Sequence, residues 1–249
     1  MENSATILSQ REWAKALVRS FLIQSVFNSE RMQNIGFAYS IAPLLPNTDK
    51  PKTQAWERHL EFFNTNPYMA SALVGAIGKL EIEGVSPENI QDFKKSVMGA
   101  FGAIGDMLFW CFLKPLSALA GVCVVLSGHP LAGIIIALLI FNTVHLWIRF
   151  WGFWNGCHYG RWMIYHFTKI RFSTLNYILG IIAVLLLAVF TVWEVGGGGG
   201  DFSIGKANDI HVLVASAIVL LGAFVVKRGM GRQLFFYMAV AVSFVLSVL

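Results

Sequence analysis

"RHLEFFNTNPYMASALVGAIGKL", Arg58–Leu80, changes character twice within one short stretch. Its first part mixes charge with aromatics, and Trp56, Leu60 and Phe63 recur at helical spacing. Asn66-Pro67 then signals a restart, because Asn caps helix N-termini and Pro is tolerated at the first helical position. The pattern predicts one helix ending near Asn64 and another beginning at Pro67. Only about a dozen residues, Tyr68 to Leu80, follow before the acids Glu81 and Glu83, whereas a membrane-crossing helix needs ~20 apolar residues. Such a helix is expected either as part of a re-entrant hairpin or buried between other helices.

The rest of the chain sets the medium. Of 249 residues, 56% are hydrophobic and 13% charged, with 20 Phe and 8 Trp; the mean hydropathy is +0.61. Soluble domains carry about 25% charged residues, and one water-soluble core would not hide this much apolar surface. The chain therefore reads as an integral membrane protein in contact with the lipid bilayer. Its net charge of +5 does not point to nucleic acid, because the basic residues flank apolar segments instead of forming one stripe. Cys111, Cys123 and Cys157 lack CxxC spacing and read as small buried hydrophobes.

Two regimes of composition follow each other. Residues 1–95 are expected to hold cytoplasmic or interfacial helices and the first re-entrant hairpin; residues 96–249 are expected to hold a second hairpin and transmembrane helices. Candidate spans are Phe109 to Ser127, Leu131 to Ile148, Leu175 to Trp193, Val212 to Val226 and Leu234 to Leu249. The expected fold is all-α: a polytopic helical membrane protein with broken or re-entrant hairpins in its first half and about five membrane spans in its second. Basic connections around Arg149–Arg171 and Lys227–Arg232 alternate with an acidic one, which predicts that the basic loops and the N-terminus are cytoplasmic. The start of the chain shows no signal-peptide pattern.

A second undersized run, Val97 to Trp110, shares the tetrapeptide GAIG with the first, at Gly75–Gly78 and Gly102–Gly105. Paired, glycine-interrupted short segments point to a transporter's substrate site, since irregular backbone at membrane depth is tolerated only in protein or beside a wet cavity. Asp106 closes the second run and needs a partner, water or a substrate hydroxyl. Sugars want carboxylates and amides, which accept from and donate to adjacent hydroxyls. The chain offers Asn28, Glu30, Arg31, Gln33 and Asn34 before the first helix break, and His59, Glu61, Asn64, Thr65 and Asn66 across it. Phe37, Phe62 and Tyr68 are suited to a sugar's apolar face. The competing reading is that Glu30, Arg31, Arg58 and Glu61 pair with one another to hold helices together.

Other features read more simply. Gly196–Gly200 suits a flexible outer loop and, with no preceding strand and no GK[ST], not a phosphate cradle. Trp147, Trp151, Trp154 and Trp162, with Phe150, Phe153 and Tyr159, mark an aromatic belt at the water interface. His129, His145, His158 and His166 do not pair at matched depth on facing spans, so no haem, metal or other cofactor is expected.

"ERMQNIGFAYSIAPLLP" (Glu30 to Pro46), "RHLEFFNTNPYMASALVGAIGKLE" (Arg58 to Glu81) and "GAIGDMLFWCFLKP" (Gly102 to Pro115) resemble the three hallmark stretches of the IID membrane component of the mannose/fructose/sorbose family of sugar phosphotransferase systems (PTS). The resemblance implies a subunit in a bacterial inner membrane that works with a IIC membrane partner in higher-order assemblies of IIC–IID pairs. Together they would bind a hexose-type sugar and carry it across in an elevator-like motion, while cytoplasmic IIA and IIB proteins pass phosphoryl groups between histidines and onto the sugar. IID itself would be a non-catalytic subunit of this phosphotransferase, so His59 is not expected to be a phosphocarrier. The resemblance further implies sugar contacts at Glu30 and near Asn64; around them Arg31, Gln33, His59 and Glu61 are expected to orient these residues, with Asn28 and Asn66 nearby and Asp106 organising the second hairpin. A different class remains open: a scaffold or regulatory subunit derived from such a permease that no longer transports.

Overall fold

The computed structural model of the chain describes residues 9–45 and 49–195; the expected spans Val212 to Val226 and Leu234 to Leu249, and Gly196–Gly200, lie outside them. Helices dominate: α1 (Gln10–Ser20), α2 (Asn34–Ile41), α3 (Asp49–His59), α4 (Ala70–Ile82), α5 (Pro87–Gly105), α6 (Lys114–Leu126), α7 (Pro130–Tyr159), α8 (Met163–Lys169) and α9 (Phe172–Val195). Among the described residues there is no strand beyond two isolated bridges, Asn28 with Met32 and Met32 with Phe63. Three helices there are long and apolar enough to cross a membrane: Pro87–Leu126, Pro130–Lys169 and Phe172–Phe190.

Local chemistry explains the boundaries. Ser86 caps α5 by accepting from the Asn89 N–H, and Pro87 occupies the first turn, where its missing N–H costs nothing. The restart at Asn66-Pro67 is present, since Asn66 Oδ1 accepts from the Tyr68 N–H at 3.0 Å. Regular helix begins three residues later, at Ala70. The stretch Leu60–Asn64, expected to be helical, is not. Its backbone is diverted into hydrogen bonds with Arg31 and Gln33, and helical periodicity in the side chains cannot reveal that competition.

The second undersized run also takes another form than expected. Val97 to Trp110 belongs to one continuous 40-residue helix, Pro87–Leu126, in which Asp106–Leu113 is π-helical. The interruption is real, but it is a change of helical register, a device that recurs at functional sites, rather than a reversal of the chain.

The chain forms two compact units, one up to Asp106 plus Thr143–Arg171 and one of Met107–Asn142 plus Phe172 onward; the boundary expected at 95/96 falls within α5. In the first, α4 is the central helix. Every residue from Ala70 to Gly78 is buried, and 13 residues at 1.5 Å each fall well short of the ~30 Å hydrocarbon core. Of the two sequence expectations, the buried helix is the one found. Its neighbours are α1, α2, α5 and the turn at Gly160–Trp162. Small residues let α7 come close: a Cβ on Gly156 would lie 2.4 Å from the Ala72 carbonyl oxygen, and one on Gly75 would lie 2.6 Å from that of Phe153. Such small-residue crossings are how helices associate in lipid, where apolar side chains gain little from leaving their surroundings. In the second unit α6 meets α9, and Gly121 and Gly133 bring α6 against the first half of α7.

Adding one methyl at these crossings should therefore cost stability. Gly156→Ala is expected to destabilise the fold by about 1–3 kcal/mol. Gly99→Ala, where an added Cβ meets nothing within 4 Å, should be neutral or stabilising by up to ~1 kcal/mol through helix propensity. Thermal unfolding of the detergent-solubilised variants measures both, and equal melting of Gly156→Ala and the parent would refute the close crossing.

Candidate functional site

Between α1 and α2 the chain makes a tight reversal. Asn28 and Met32 exchange backbone hydrogen bonds at 3.1 and 2.9 Å. Asn28 Oδ1 accepts from the Arg31 N–H at 2.7 Å, while its Nδ2 donates to Asn34 Oδ1 at 2.8 Å. Met32 sits at φ 57°, a left-handed conformation costing a β-carbon-bearing residue roughly 1–2 kcal/mol and maintained here by bonds on both sides. The result projects Glu30 at the tip, its side chain 83% exposed and 3.7 Å from Arg31 Nε.

The break between α3 and α4 is clamped onto this turn. The Gln33 N–H donates to the Phe63 carbonyl at 2.8 Å, and the Phe63 N–H to Arg31 at 3.4 Å. The Gln33 side chain continues the clamp: Nε2 donates to the Thr65 carbonyl at 2.9 Å and Oε1 accepts from the Thr65 N–H at 3.1 Å. Asn34 Nδ2 donates to the Leu60 carbonyl at 2.7 Å. Asn64 thus lies between two clamped residues with its own side chain exposed, on the loop adjoining that of Glu30. One residue further on, Asn66 Nδ2 donates to Asp106 Oδ1 at 2.9 Å. A Cβ on Gly105 would lie 2.4 Å from Asn66 Cβ, so this contact requires glycine.

Beneath the loops lies a buried ionic network. Arg58 Nη2 donates to both Glu81 oxygens, at 2.6 and 2.8 Å, and Nε adds a third bond at 3.1 Å. His59 Nε2 lies 2.7 Å from Glu81 Oε1. Burial pushes His59 below the ordinary imidazole value, its bond to Glu81 offsetting only part of the effect. The ring is therefore neutral near pH 7, and its N–H must face Glu81, which can only accept. Burial acts to raise the Glu81 carboxyl, but hydrogen bonds from His59 and Arg58 outweigh it and hold it below the ordinary value. Lys94 Nζ donates to the Arg58 carbonyl at 3.3 Å and lies over the rings of Phe37 and Phe63, 5.0 and 5.7 Å from their centroids. Those two rings stack at 4.1 Å.

The candidates from sequence divide accordingly. Glu30, Arg31, Glu61, Asn64 and Asp106 are exposed and Asn28 half-buried; Gln33, His59 and Asn66 are buried, with side-chain bonds to the loop backbone, Glu81 and Asp106. The pairing of Arg58 with Glu61 is corrected: Arg58 binds Glu81, and Glu61 accepts a hydrogen bond from Gln91. Sequence reasoning missed Glu81 and Lys94, treating the first as the end of an apolar run. The available signal was an acid with no polar neighbour on an otherwise apolar helix face. The belt expectation needs a similar correction, because Phe153 is buried and packs edge-on to Trp13 at 6.1 Å, whereas Trp147, Phe150, Trp154 and Trp162 are exposed. What the loops present chemically is the Glu30 carboxylate and the Asn64 amide on clamped backbones, with the carboxylate of Glu61, which accepts from Gln91, beside them and a third at Asp106.

Comparison with known proteins places this architecture. Residues 7–196 match the family model described as "PTS system mannose/fructose/sorbose family IID component". The chain is 35% identical over 154 residues to the PTS system mannose-specific EIID component of Escherichia coli (strain K12), covering 58% of this chain and 54% of that protein. It is 29% identical over 157 residues to the fructose permease IID component of Bacillus subtilis (strain 168), covering 60% and 57%. The sorbose-specific EIID component of Klebsiella pneumoniae is 31% identical over 161 residues, with 61% and 58% covered. The matched region spans somewhat over half the length of each of these relatives. Among solved structures, one described as "Structure of membrane protein" superposes with a TM-score of 0.66 at 29% identity, covering 75% of this chain and 71% of that one. A chain of "CryoEM Structure of Mannose Transporter ManYZ and Microcin E492 (MceA) complex" gives 0.59 at 23% identity over 94% of both, which shows a shared fold.

The buried network makes stability acid-sensitive with a definite sign. Folded His59 protonates below the ordinary 6.5, so the unfolded chain takes up that proton first and stability falls as pH drops below 6.5. Folded Glu81 likewise stays ionised below the ordinary 4.5, which extends the loss to lower pH. His59→Gln should remove the first limb and leave the second. Arg58→Met, which strands a buried carboxylate, should cost about 3–5 kcal/mol. Melting midpoints across pH measure all three, and a profile for His59→Gln identical to the parent's would refute the assignment.

Proposed function

The chain belongs to the PTS mannose/fructose/sorbose family of IID components, a family of membrane subunits for sugar transport, and from that premise we propose that it forms, with a IIC membrane partner, the path by which a hexose-type sugar is bound and carried across. The observation that carries this reading is the clamp joining the Glu30 and Asn64 loops. It fixes an exposed carboxylate and an exposed amide on adjoining backbones, the donor–acceptor pair that neighbouring sugar hydroxyls require. Arg31 and Glu61 orient the rim, Gln33 and His59 hold the loops from beneath, and Asn66 with Asp106 ties them to α5. Relatives named for mannose, fructose and sorbose support a hexose-type substrate.

In this reading the chain lies in a bacterial inner membrane with its N-terminus cytoplasmic, and works in higher-order assemblies of IIC–IID pairs. Cytoplasmic IIA and IIB proteins supply the phosphoryl group, and this subunit contributes binding and movement rather than chemistry. Preorganisation gives the clamp its value, since loops already fixed lose little entropy when a ligand binds.

Glu30→Gln keeps the shape and removes the charge. A hydrogen bond to an ionised acceptor is worth about 1.5–3 kcal/mol, so KM for the cognate sugar should rise roughly ten- to hundredfold while assembly with the IIC chain is unchanged. Sugar uptake by cells co-expressing the neighbouring PTS subunits measures this. Unaltered uptake kinetics for both Glu30→Gln and Asn64→Ala, with assembly intact, would favour a non-transporting scaffold instead.

A further inference from the structure

A second feature lies at the far end of α7 and in α8, away from the Glu30 and Asn64 loops in sequence and untouched by the proposed transport chemistry. Between Asp106 and Glu194 the chain contains no carboxylate at all. None of the ion pairs among the described residues involves Arg161, Lys169 or Arg171, and all three are exposed. Uncompensated cations beside an apolar helix call for an anion from elsewhere.

Their surroundings are an aromatic ladder. The Trp154 and His158 rings lie 4.0 Å apart, and Tyr159 and His166 stack at 4.1 Å. Tyr165 stands edge-on to His166 at 6.0 Å, and Lys169 Nζ sits 4.4 Å over the Tyr165 ring. Gly160, at φ +51°, turns the chain between α7 and α8. Met163 and Phe167 anchor α8 inward, while Trp162 and Tyr165 are 72% and 60% exposed. The stretch is buried on one side, exposed on the other and rich in the two residue types that settle at headgroup level.

The ligand class follows from what the rings leave open. Trp154 and Tyr159 each have a face covered by a histidine, so the ladder is a poor platform for a sugar, which needs free faces. His158 Nδ1 donates to the Trp154 carbonyl at 3.0 Å, which leaves Nε2 as the other polar edge of that ring. In the most apolar stretch of the same helix, Pro130–Lys169, only 11% of residues are buried, and its uncovered apolar surface calls for acyl chains. Acyl chains along a helix that ends in exposed rings and unpaired cations describe one molecule. We propose that Lys169, over the Tyr165 ring, together with the exposed Arg161 and Arg171 that flank α8, holds the phosphate of an anionic phospholipid headgroup.

The test uses the full chain, purified with the membrane partner that accompanies it, and titrated with phosphatidylglycerol or phosphatidylcholine while native mass spectrometry counts bound lipid. The parent should prefer phosphatidylglycerol. Arg161→Gln/Lys169→Gln/Arg171→Gln should weaken that preference about a hundredfold, at roughly fivefold per cation near a charged headgroup. Lys169→Gln alone should weaken it about fivefold, which covers the case of a triple variant that does not fold, and Arg161→Lys/Arg171→Lys should retain it. Equal uptake of both lipids by the parent, or unchanged phosphatidylglycerol binding by the charge-removed variants, would overturn the proposal. So would displacement of phosphatidylglycerol by inorganic phosphate, which would assign the site to a free anion, or occlusion of these residues by an acidic surface of the partner.

Discussion

The Glu81 carboxylate is the fixed point on which the first compact unit turns. It ends a helix buried along nearly all its length, and a charge in that position persists only if it is paired and hydrogen-bonded. Its partners, Arg58 and His59, end the preceding helix. The pairing therefore closes the whole stretch from Arg58 to Glu81 into a ring, with α4 as one side and the irregular loop as the other. Where Phe63 can go is then decided. His59 lies edge-on to Phe37 at 5.5 Å, Phe37 stacks on Phe63 at 4.1 Å, and Phe63 delivers its backbone to Arg31 and Gln33.

Magnitudes show why this network is better understood as positioning than as added stability. A buried ion pair roughly balances its own desolvation, and well-packed apolar residues often serve stability as well or better. An aromatic pair adds about 0.5–1.5 kcal/mol beyond burial. Against these gains stand a left-handed Met32 and buried atoms without partners, His59 Nδ1 and Thr65 Oγ1. A sequence selected for stability alone would have little reason to keep this combination. One that must hold two loop tips at a fixed separation has good reason, because hydrogen bonds and ion pairs specify geometry where apolar contact does not.

Much of this was legible in the sequence, and the failures have a common cause. Apolar length and periodicity reported the membrane character, the described spans, the undersized α4 and the Asn66-Pro67 restart, because each depends on residues close together in the chain. Glu30 and Asn64 were singled out by the family resemblance, since each sits in a polar run, Asn28–Asn34 and Asn64–Asn66, whose members local pattern alone does not rank. Glu81 was not readable as a partner of Arg58, because 23 residues separate them and nothing local indicates that both lie inside. Phe63 kept helical spacing while its backbone was taken by the turn at Met32. The π-helical segment Asp106–Leu113 left no mark on the apolar pattern, since a register change moves side chains around the helix without altering their chemistry.

The two GAIG tetrapeptides gain meaning from the same geometry. In the first, Gly75 admits the α7 backbone and Gly78 admits Leu44, whose Cδ1 would lie 2.3 Å from an added Cβ. In the second, a Cβ on Gly102 would meet the Thr65 Cα at an ordinary 3.7 Å, whereas one on Gly105 would lie 2.4 Å from Asn66 Cβ, so α5 carries the loop closely at Gly105. Directly after Gly105 the helix changes register at Asp106, which places a carboxylate where Asn66 can donate to it. Glycine clears the space and the register change aims the acid, and neither would suffice alone. Both runs are therefore short of apolar bulk for one reason: each trades side-chain volume for close backbone approach, one to bury α4 and the other to support the loop that begins it.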